Sequence, residues 1–197
     1  MSVPMNVLIF AGSTREGSLN RKVAHCAAAA AGVVAETTLL DLREHRLPLY
    51  DGDLESSGVQ IRHLAELRAL FKSHRVWLIA SPDYNSSMSP LIKNLIDWVS
   101  RPLNGENYVT CFKEKQVGLM SSSSGSSGGA RGLPHLRHVL TYLGARVSDR
   151  QFVVPRGHEA FDAGGALFDV AKQQELETFV RSAVREAASV PSIAAAS

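Results

Sequence analysis

The sequence predicts a doubly wound α/β protein, in which a five-stranded parallel sheet lies between two layers of helices. Two observations carry this prediction. Short apolar runs alternate with longer segments of helical periodicity along the chain, and these runs lack the polar alternation expected of strands with one face in water. A chain of 197 residues suits one domain. We therefore expect a single domain over residues 1–190 and a disordered tail over 191–197.

The first repeating unit is a strand, a turn and a helix. Residues 7–11 form an apolar run that predicts a buried strand, and a helix begins at Leu19. Gly32 follows this helix as a stop signal. The apolar stripe of the helix consists of Leu19, Val23, Cys26, Ala27 and Ala30.

The rest of the chain repeats this unit. Ser89 and Pro90 are a typical cap and first residue of a helix, and Gly144 is a typical stop. Turn residues at 46–52 predict a loop. The predicted strands are 33–42, 76–80, 117–120 and 145–154, and the predicted helices are 59–74, 90–100, 133–143 and 170–188.

Composition excludes several classes of protein. A formal net charge of +2 does not indicate a nucleic-acid binder. No apolar run approaches the roughly 20 residues that span a bilayer, and the short, uncharged start does not resemble a signal peptide. Cys26 and Cys111 lack metal-type spacing, and the seven histidines are too scattered to predict a metal site. We expect a cytoplasmic protein with reduced thiols and no bound metal.

The loop AGSTREGSLN, residues 11–20, is a near miss to two nucleotide-binding motifs. Its two glycines have the spacing of a P-loop, but Ser18 replaces the lysine, and the pattern G-x-G-x-x-G is absent. Hydroxyls, one guanidinium from Arg15 and the free amides of a helix start suit a single terminal phosphate. The alternative is an ordinary serine cap beside a surface arginine.

Two further loops follow strands that end at the same edge of the sheet. In SPDYNSSMSP, Pro82 and Pro90 stiffen a segment that presents Tyr84 and Asn85, which suits a planar ligand, although a purely structural turn is the alternative. The run SSSSGSSGG, residues 121–129, has the composition of a flexible linker, but its position favours close approach to a ligand. A phosphate beside a flat ring points to FMN.

These segments resemble the NADPH-dependent FMN reductase family, which includes bacterial quinone and chromate reductases. The resemblance rests on GSTREGSLNRKVA, SPDYNSSMSPLIKNLIDWVSRP and VGLMSSSSGSSGGARGLPHLRHVLTYLGA, and extends over about residues 6–152. It implies a flavodoxin-like fold with strand order 2-1-3-4-5 and a noncovalent FMN. It also implies electron transfer from NADPH or NADH to a small acceptor such as a quinone, chromate, an azo or nitro compound, or free flavin.

The resemblance also assigns roles to residues of the three loops. The residues implied to hold the phosphate are Ser13, Arg15, Ser18, Leu19 and Asn20. Those implied to line the isoalloxazine ring are Pro82, Asp83, Tyr84 and Asn85, and those on its far side are Ser123, Gly125 and Gly128. The family usually has glutamate where this chain has Asp83, which leaves the contacts of that carboxylate open. No dedicated catalytic side chain is implied, because the flavin carries the chemistry.

The family further implies a homodimer or a homotetramer, with no membrane and no nucleic acid among the partners. Two other functions stay open on the sequence alone. One is a non-enzymatic electron carrier with the same fold and the same FMN. The other is a nucleotide enzyme that uses Gly12 to Ser18 as a degenerate P-loop.

Overall fold

The computed structural model describes residues 5–103 and 105–189, so the predicted tail at 191–197 lies outside the described residues. The strands are β1 (Asn6–Ala11), β2 (Glu36–Leu40), β3 (Val76–Ala80), β4 (Gln116–Ser122) and β5 (Arg146–Val154). The helices are α1 (Leu19–Ala31), α2 (Gly52–Ser56), α3 (Leu64–Ser73), α4 (Pro90–Val99), α5 (Leu133–Tyr142), α6 (Gly157–Ala160) and α7 (Val170–Ala188), and Ala130–Gly132 form one 3₁₀ turn.

The five strands form one parallel sheet in the order β2-β1-β3-β4-β5, which confirms the predicted fold class and topology. Helices cover both faces. One face of the sheet, which includes Phe10 and Trp77, packs with α3, α4 and α5, whereas the opposite face, which includes Ile9 and Leu78, packs with α1 and α7. The two apolar layers hold the carboxyl ends of β1, β3 and β4 side by side.

The edge strands differ from the prediction. All residues of β3 and β4 are buried, as expected for strands inside a sheet that is covered on both faces, but β2 and β5 contain exposed and partly exposed positions. The expectation that every strand is apolar throughout is therefore wrong at the two edges, because an edge strand meets water along one side. Val33 is 82% exposed, and β2 begins only at Glu36.

The helices also differ from the prediction in places. The helix predicted at 59–74 begins at Leu64, because His63 adopts a left-handed backbone conformation with φ +64°. The short helix α2 follows the predicted loop, and its first turn is capped by the Asp51 carboxylate, which accepts from the Asp53 amide at 2.7 Å. Among the described residues, no helix is both long and apolar enough to cross a bilayer.

Candidate functional site

Three loops meet at the carboxyl ends of β1, β3 and β4, where the sheet changes winding direction. Two hydrogen bonds continue the strand pairing into the loops: Gly12 N donates to Ala80 O at 2.8 Å, and Ser81 N donates to Met120 O at 2.9 Å. Open α/β sheets bind ligands at such a position. A cleft of about 230 Å³ opens there, lined by Ser13, Arg15, Gly17, Ser18, Leu19, Asn20, Pro82, Asp83, Tyr84, Ser122, Ser123, Ser124 and His158.

The loop after β1 keeps several hydrogen-bond donors without a protein acceptor. Its helix begins with a weak cap, in which Ser18 Oγ accepts from Arg21 N at 3.4 Å. Within the described part of the chain, no acceptor is bound by the amides of Thr14, Glu16, Gly17 and Leu19. The Leu19 amide belongs to the first turn of α1 and so lies at the positive end of the helix dipole, and the other three amides precede the helix in the same loop. The loop is therefore suited to bind an anion.

The side chains of this loop add charge and hydroxyls. Ser13 is buried, and its Oγ accepts from Arg15 N at 3.3 Å, which turns the chain toward the cleft. The Arg15 side chain is exposed and pairs with no carboxylate among residues 5–103 and 105–189. Its guanidinium is thus available to a ligand at the mouth of the cleft.

The side chain of Asn20 has a structural role in addition to the one predicted. Its Nδ2 donates to Ser122 O at 2.9 Å, and its Oδ1 accepts from Ser122 N at 3.0 Å. Both contacts are buried, so the amide side chain joins the start of α1 to the end of β4. Nδ2 has a second N–H, so the implied contact of Asn20 with phosphate stays a prediction.

The loop after β3 forms a tight turn at the rim of the cleft. Tyr84 and Ser87 exchange two backbone hydrogen bonds of 3.0 and 3.1 Å, and both central residues, Asn85 and Ser86, have positive φ angles of 55° and 62°. Asp83 Oδ1 accepts from Ser86 N at 2.8 Å, so the carboxylate stabilises the turn. Tyr84 is 43% exposed on the cleft wall, whereas Asn85 occupies the turn tip and does not line the cleft.

The serine-rich segment after β4 is built into the fold and is not a flexible linker. Its first two residues lie within β4, where Ser121 Oγ donates to Ser81 O at 2.8 Å and Ser122 Oγ donates to Val154 O at 2.9 Å. A Cβ atom on Gly128 would lie 2.4 Å from Val153 Cγ1, so this glycine packs against β5. The linker interpretation is therefore wrong, because hydrogen bonds and packing hold the segment.

The remaining predicted residues of this loop lie nearer the opening. Ser123 lines the cleft, whereas Gly128 lies outside its lining. Gly125 is exposed, and a Cβ there would meet only Ser123 Oγ, at 3.8 Å. The contacts of Gly125 and Gly128 with a cofactor stay predictions.

Sequence reasoning missed His158, which lines the cleft from the segment that follows β5. This segment is fastened to the serine-rich loop, since Gly157 N donates to Ser123 O at 2.9 Å and Arg156 N donates to Gly125 O at 3.1 Å. The signal was present in the strand order. The carboxyl end of β5 lies at the same edge as the other three loops, so its following turn also borders the cleft.

The donor set of the cleft fits a phosphate monoester. Free amides, the hydroxyls of Ser13 and Ser18 and the Arg15 guanidinium are groups that can donate to phosphate oxygens, and the one lining carboxylate, Asp83, accepts a hydrogen bond within its turn. A β-sheet of this order with such a loop after its first strand defines the flavodoxin-like class of nucleotide-binding proteins.

Comparison with known proteins gives the family. Residues 5–159 match the model of the NADPH-dependent FMN reductase family. The chain belongs to this family and is thus an FMN-dependent NAD(P)H oxidoreductase, which confirms the family, enzyme class and cofactors predicted from the sequence.

Individual relatives agree with this assignment. The chain is 32% identical to an NAD(P)H-dependent FMN reductase of Pseudomonas aeruginosa, over 86% of this chain and 88% of the relative. It is 34% identical to a quinone reductase of Escherichia coli, over 76% of this chain and 77% of the relative. A solved flavoenzyme NAD(P)H:(acceptor) oxidoreductase from Paracoccus denitrificans is similar with a TM-score of 0.79 and 28% identity, covering 93% of this chain and 97% of that one.

Proposed function

We propose that the protein transfers two electrons from NADPH or NADH to a quinone-type acceptor, using an FMN held in the cleft at the carboxyl ends of β1, β3 and β4. One observation carries this proposal: the loop after β1 presents free backbone amides and Arg15 beside a rigid turn that exposes Tyr84. Relatives named as quinone reductases support the acceptor class.

In this proposal the first loop holds the phosphate of FMN. The buried hydroxyls of Ser13 and Ser18, the free Leu19 amide and the backbone of Asn20 surround it, and Arg15 supplies the charge from the solvent side. A charge-assisted contact of this kind contributes about 1.5–3 kcal/mol. Because Ser18 stands where a P-loop has its lysine, one terminal phosphate suits the loop better than a triphosphate.

The other two loops hold the ring. Pro82, Asp83 and Tyr84 form one wall, with Asn85 at the tip of the same turn, and Ser123 lies on the opposite side, in the loop that also contains Gly125 and Gly128. When bound, FMN supplies the hydride-accepting and hydride-donating chemistry. The protein's part is to fix the ring, leave one face open for donor and acceptor, and offer backbone donors to the ring. No side chain is assigned as a general acid or base.

The choice of donor is proposed to depend on Arg131. Three arginines are candidates for the 2′-phosphate of NADPH, but Arg21 pairs with Asp41 at 3.2 Å and Arg101 donates to Asp97 O at 3.1 Å, so both are engaged. Arg131 is exposed and directly follows the serine-rich loop after β4. Among the described residues, it donates to no acceptor. Replacing Arg131 by alanine should lower kcat/KM for NADPH about tenfold while leaving that for NADH within about twofold.

The central experiment is steady-state oxidation of NADPH by the purified protein with a quinone as acceptor. The reductase proposal expects a yellow protein with bound flavin absorbance and continuous turnover. A yellow protein without turnover supports the electron carrier instead, and a colourless protein that binds ATP with magnesium supports the degenerate P-loop enzyme. The first of these two outcomes rejects the reductase activity, and the second rejects the bound flavin.

Three broader properties are also proposed. We infer that residues 1–190 act as one domain, that the enzyme works in the cytoplasm, and that it forms a homodimer or homotetramer. Exposed aromatic side chains support self-association: Tyr108 and Tyr142 stack on the surface with ring centroids 6.3 Å apart, and Tyr142 is 71% exposed. Light scattering of the purified protein measures the oligomeric state.

A further inference from the structure

Two histidines and a glutamate come together outside the lining of the flavin cleft. His45 lies in the connection between β2 and α2, His63 precedes α3, and Glu66 lies in the first turn of α3. One ligand atom from each residue lies within 4.8 Å of the other two. None of the three residues lines the flavin cleft. They form a separate cluster on the surface, which we call the His/Glu cluster.

Two distances within the cluster are in the range of neighbouring ligands in a tetrahedral metal site. His45 Nε2 lies 3.2 Å from Glu66 Oε1, and His63 Nδ1 lies 3.4 Å from Glu66 Oε2. Nitrogen and oxygen ligands of Zn²⁺ lie about 2.0–2.1 Å from the metal, so two ligand atoms of a tetrahedral site are about 3.3–3.4 Å apart. Each histidine nitrogen therefore lies at a suitable distance from one oxygen of Glu66, and the three ligand atoms, which lie within 4.8 Å of one another, would have to move closer together to surround one ion.

A hydrogen bond behind His45 orients this ligand. His45 Nδ1 lies 3.0 Å from the carbonyl oxygen of Asp41, which can only accept, so Nδ1 carries the hydrogen. Metal-binding histidines usually make this type of bond through their second ring nitrogen. In the neutral ring Nε2 then presents a lone pair to the Glu66 carboxylate, an unfavourable pairing that a proton or a bound cation between them relieves.

The environment of the other two residues supports the same view. The Glu66 side chain is exposed and contacts the rings of both His45 and His63. His63 holds a left-handed backbone conformation, φ +64°, at the start of α3, yet its side chain makes no capping hydrogen bond. Such a conformation is strained for a residue other than glycine. A ligand role for the ring accounts for the choice of residue.

We propose that His45, His63 and Glu66 bind one divalent transition-metal ion of the zinc type, with water completing the coordination. Two imidazoles and one carboxylate suit Zn²⁺ better than the hard ions Mg²⁺ and Ca²⁺, which prefer oxygen ligands. The ion would tie the long connection after β2 to α3. This site is independent of the proposed function, because the flavin cleft shares none of its residues.

The test is calorimetric titration of zinc chloride into the FMN-loaded, full-length protein without an affinity tag. The expected result is one Zn²⁺ per chain, with binding at least tenfold weaker in Glu66→Gln, which keeps the shape of the side chain but removes its charge. The matched control is His25→Asn, an exposed histidine of α1, and it should bind as the original protein does. Equal Zn²⁺ binding by the original protein and by Glu66→Gln would overturn the proposal.

A second variant keeps the test valid if one substitution disturbs folding. Glycine accepts the left-handed conformation without strain, so His63→Gly should leave the thermal midpoint of the metal-free protein unchanged or higher. The same variant should lose the rise in thermal midpoint that Zn²⁺ gives the original protein. If the original protein shows no such rise and no binding, the cluster is a proton-linked ion pair only, and the metal proposal is rejected.

Discussion

The two ends of the sheet are both rich in polar residues, but they use them differently. At the amino end, the buried Lys115 Nζ donates to Lys72 O at 2.6 Å and to His74 O at 2.9 Å, and Asn6 Nδ2 donates to Ser73 O at 2.7 Å. These donors act between elements of the fold. The amino end is therefore held by its own hydrogen bonds.

At the carboxyl end, the loop after β1 keeps donors that no described residue accepts, including the amides of Thr14 and Leu19. The neighbouring serine-rich loop, in contrast, has its first two hydroxyls bound to Ser81 O and Val154 O. Polar composition alone therefore does not identify a binding site. A binding site is identified by hydrogen-bond donors that have no acceptor within the protein.

The substitution expected to have the strongest consequence removes the Asn20 side chain, which joins the loop after β1 to the end of β4. Asn20→Ala should lower the free energy of unfolding by about 2–4 kcal/mol, because the buried N–H and C=O groups of Ser122 both lose their partner. Urea denaturation of the flavin-free protein measures this value. Asn107→Ala, which removes an exposed contact to Val109 N, is the control and should change stability by less than about 0.5 kcal/mol. A loss below about 1 kcal/mol for Asn20→Ala would contradict the structural role.

The amino end makes a prediction about pH. Burial lowers the pKa of Lys115 from its ordinary 10.5 to about 8. Between these values the unfolded chain holds a proton that the folded chain has released, so the free energy of unfolding should rise as pH increases from about 8 to 10.5, by about 3 kcal/mol in all. Lys115→Met should remove this increment while other titrations persist. Identical pH dependence in the two proteins would show that Lys115 stays charged in the folded state.

The free guanidinium of the first loop gives the next prediction. Arg15→Ala should weaken FMN binding by about 1.5–3 kcal/mol, which is about 10- to 150-fold, with little change in unfolding of the flavin-free protein. Quenching of flavin fluorescence measures the affinity. Arg146→Ala, which removes an exposed arginine at the amino end of β5, is the matched control. If both variants bind FMN equally well, the phosphate lies elsewhere.

The smallest expected effect concerns the contact between the second and third loops. A Cβ on Gly132 would lie 2.6 Å from the backbone oxygen of Ser87, so Gly132→Ala must move one loop and should cost about 1–3 kcal/mol of stability and increase flavin loss. Gly52→Ala, whose Cβ would meet nothing within 4 Å, serves as control. Unchanged flavin retention in Gly132→Ala would show that this contact between the loops does not support binding of the flavin ring.

Much of the fold could be predicted from the sequence because the central strands leave little ambiguity. The five residues of β3 are all buried, and a short run that is apolar throughout is typical of an inner strand of a parallel sheet. The edge strands β2 and β5 were harder to predict, because each has a neighbouring strand on one side only and its burial is irregular. Val33 is apolar yet exposed, so hydrophobicity alone extended β2 too far.

The position of the site could be predicted from the sequence better than the roles of its side chains. Strand order places the three loops together, but it does not say that the Asn20 side chain is used by Ser122 or that the Asp83 carboxylate is used by Ser86. The His/Glu cluster was hidden for a related reason. His45 and Glu66 are 21 positions apart, and only the path of the chain after β2 joins them.

The link between Asn20 and Ser122 has a consequence for the order of events during synthesis. The two residues are 102 positions apart, so a ribosome releases the whole first loop long before its buried anchor exists. Closing so long a stretch of chain is entropically costly, and contacts of this kind form late. We therefore expect nascent chains that end before β4 to be unable to capture flavin, which makes cofactor loading a checkpoint on completion of the polypeptide.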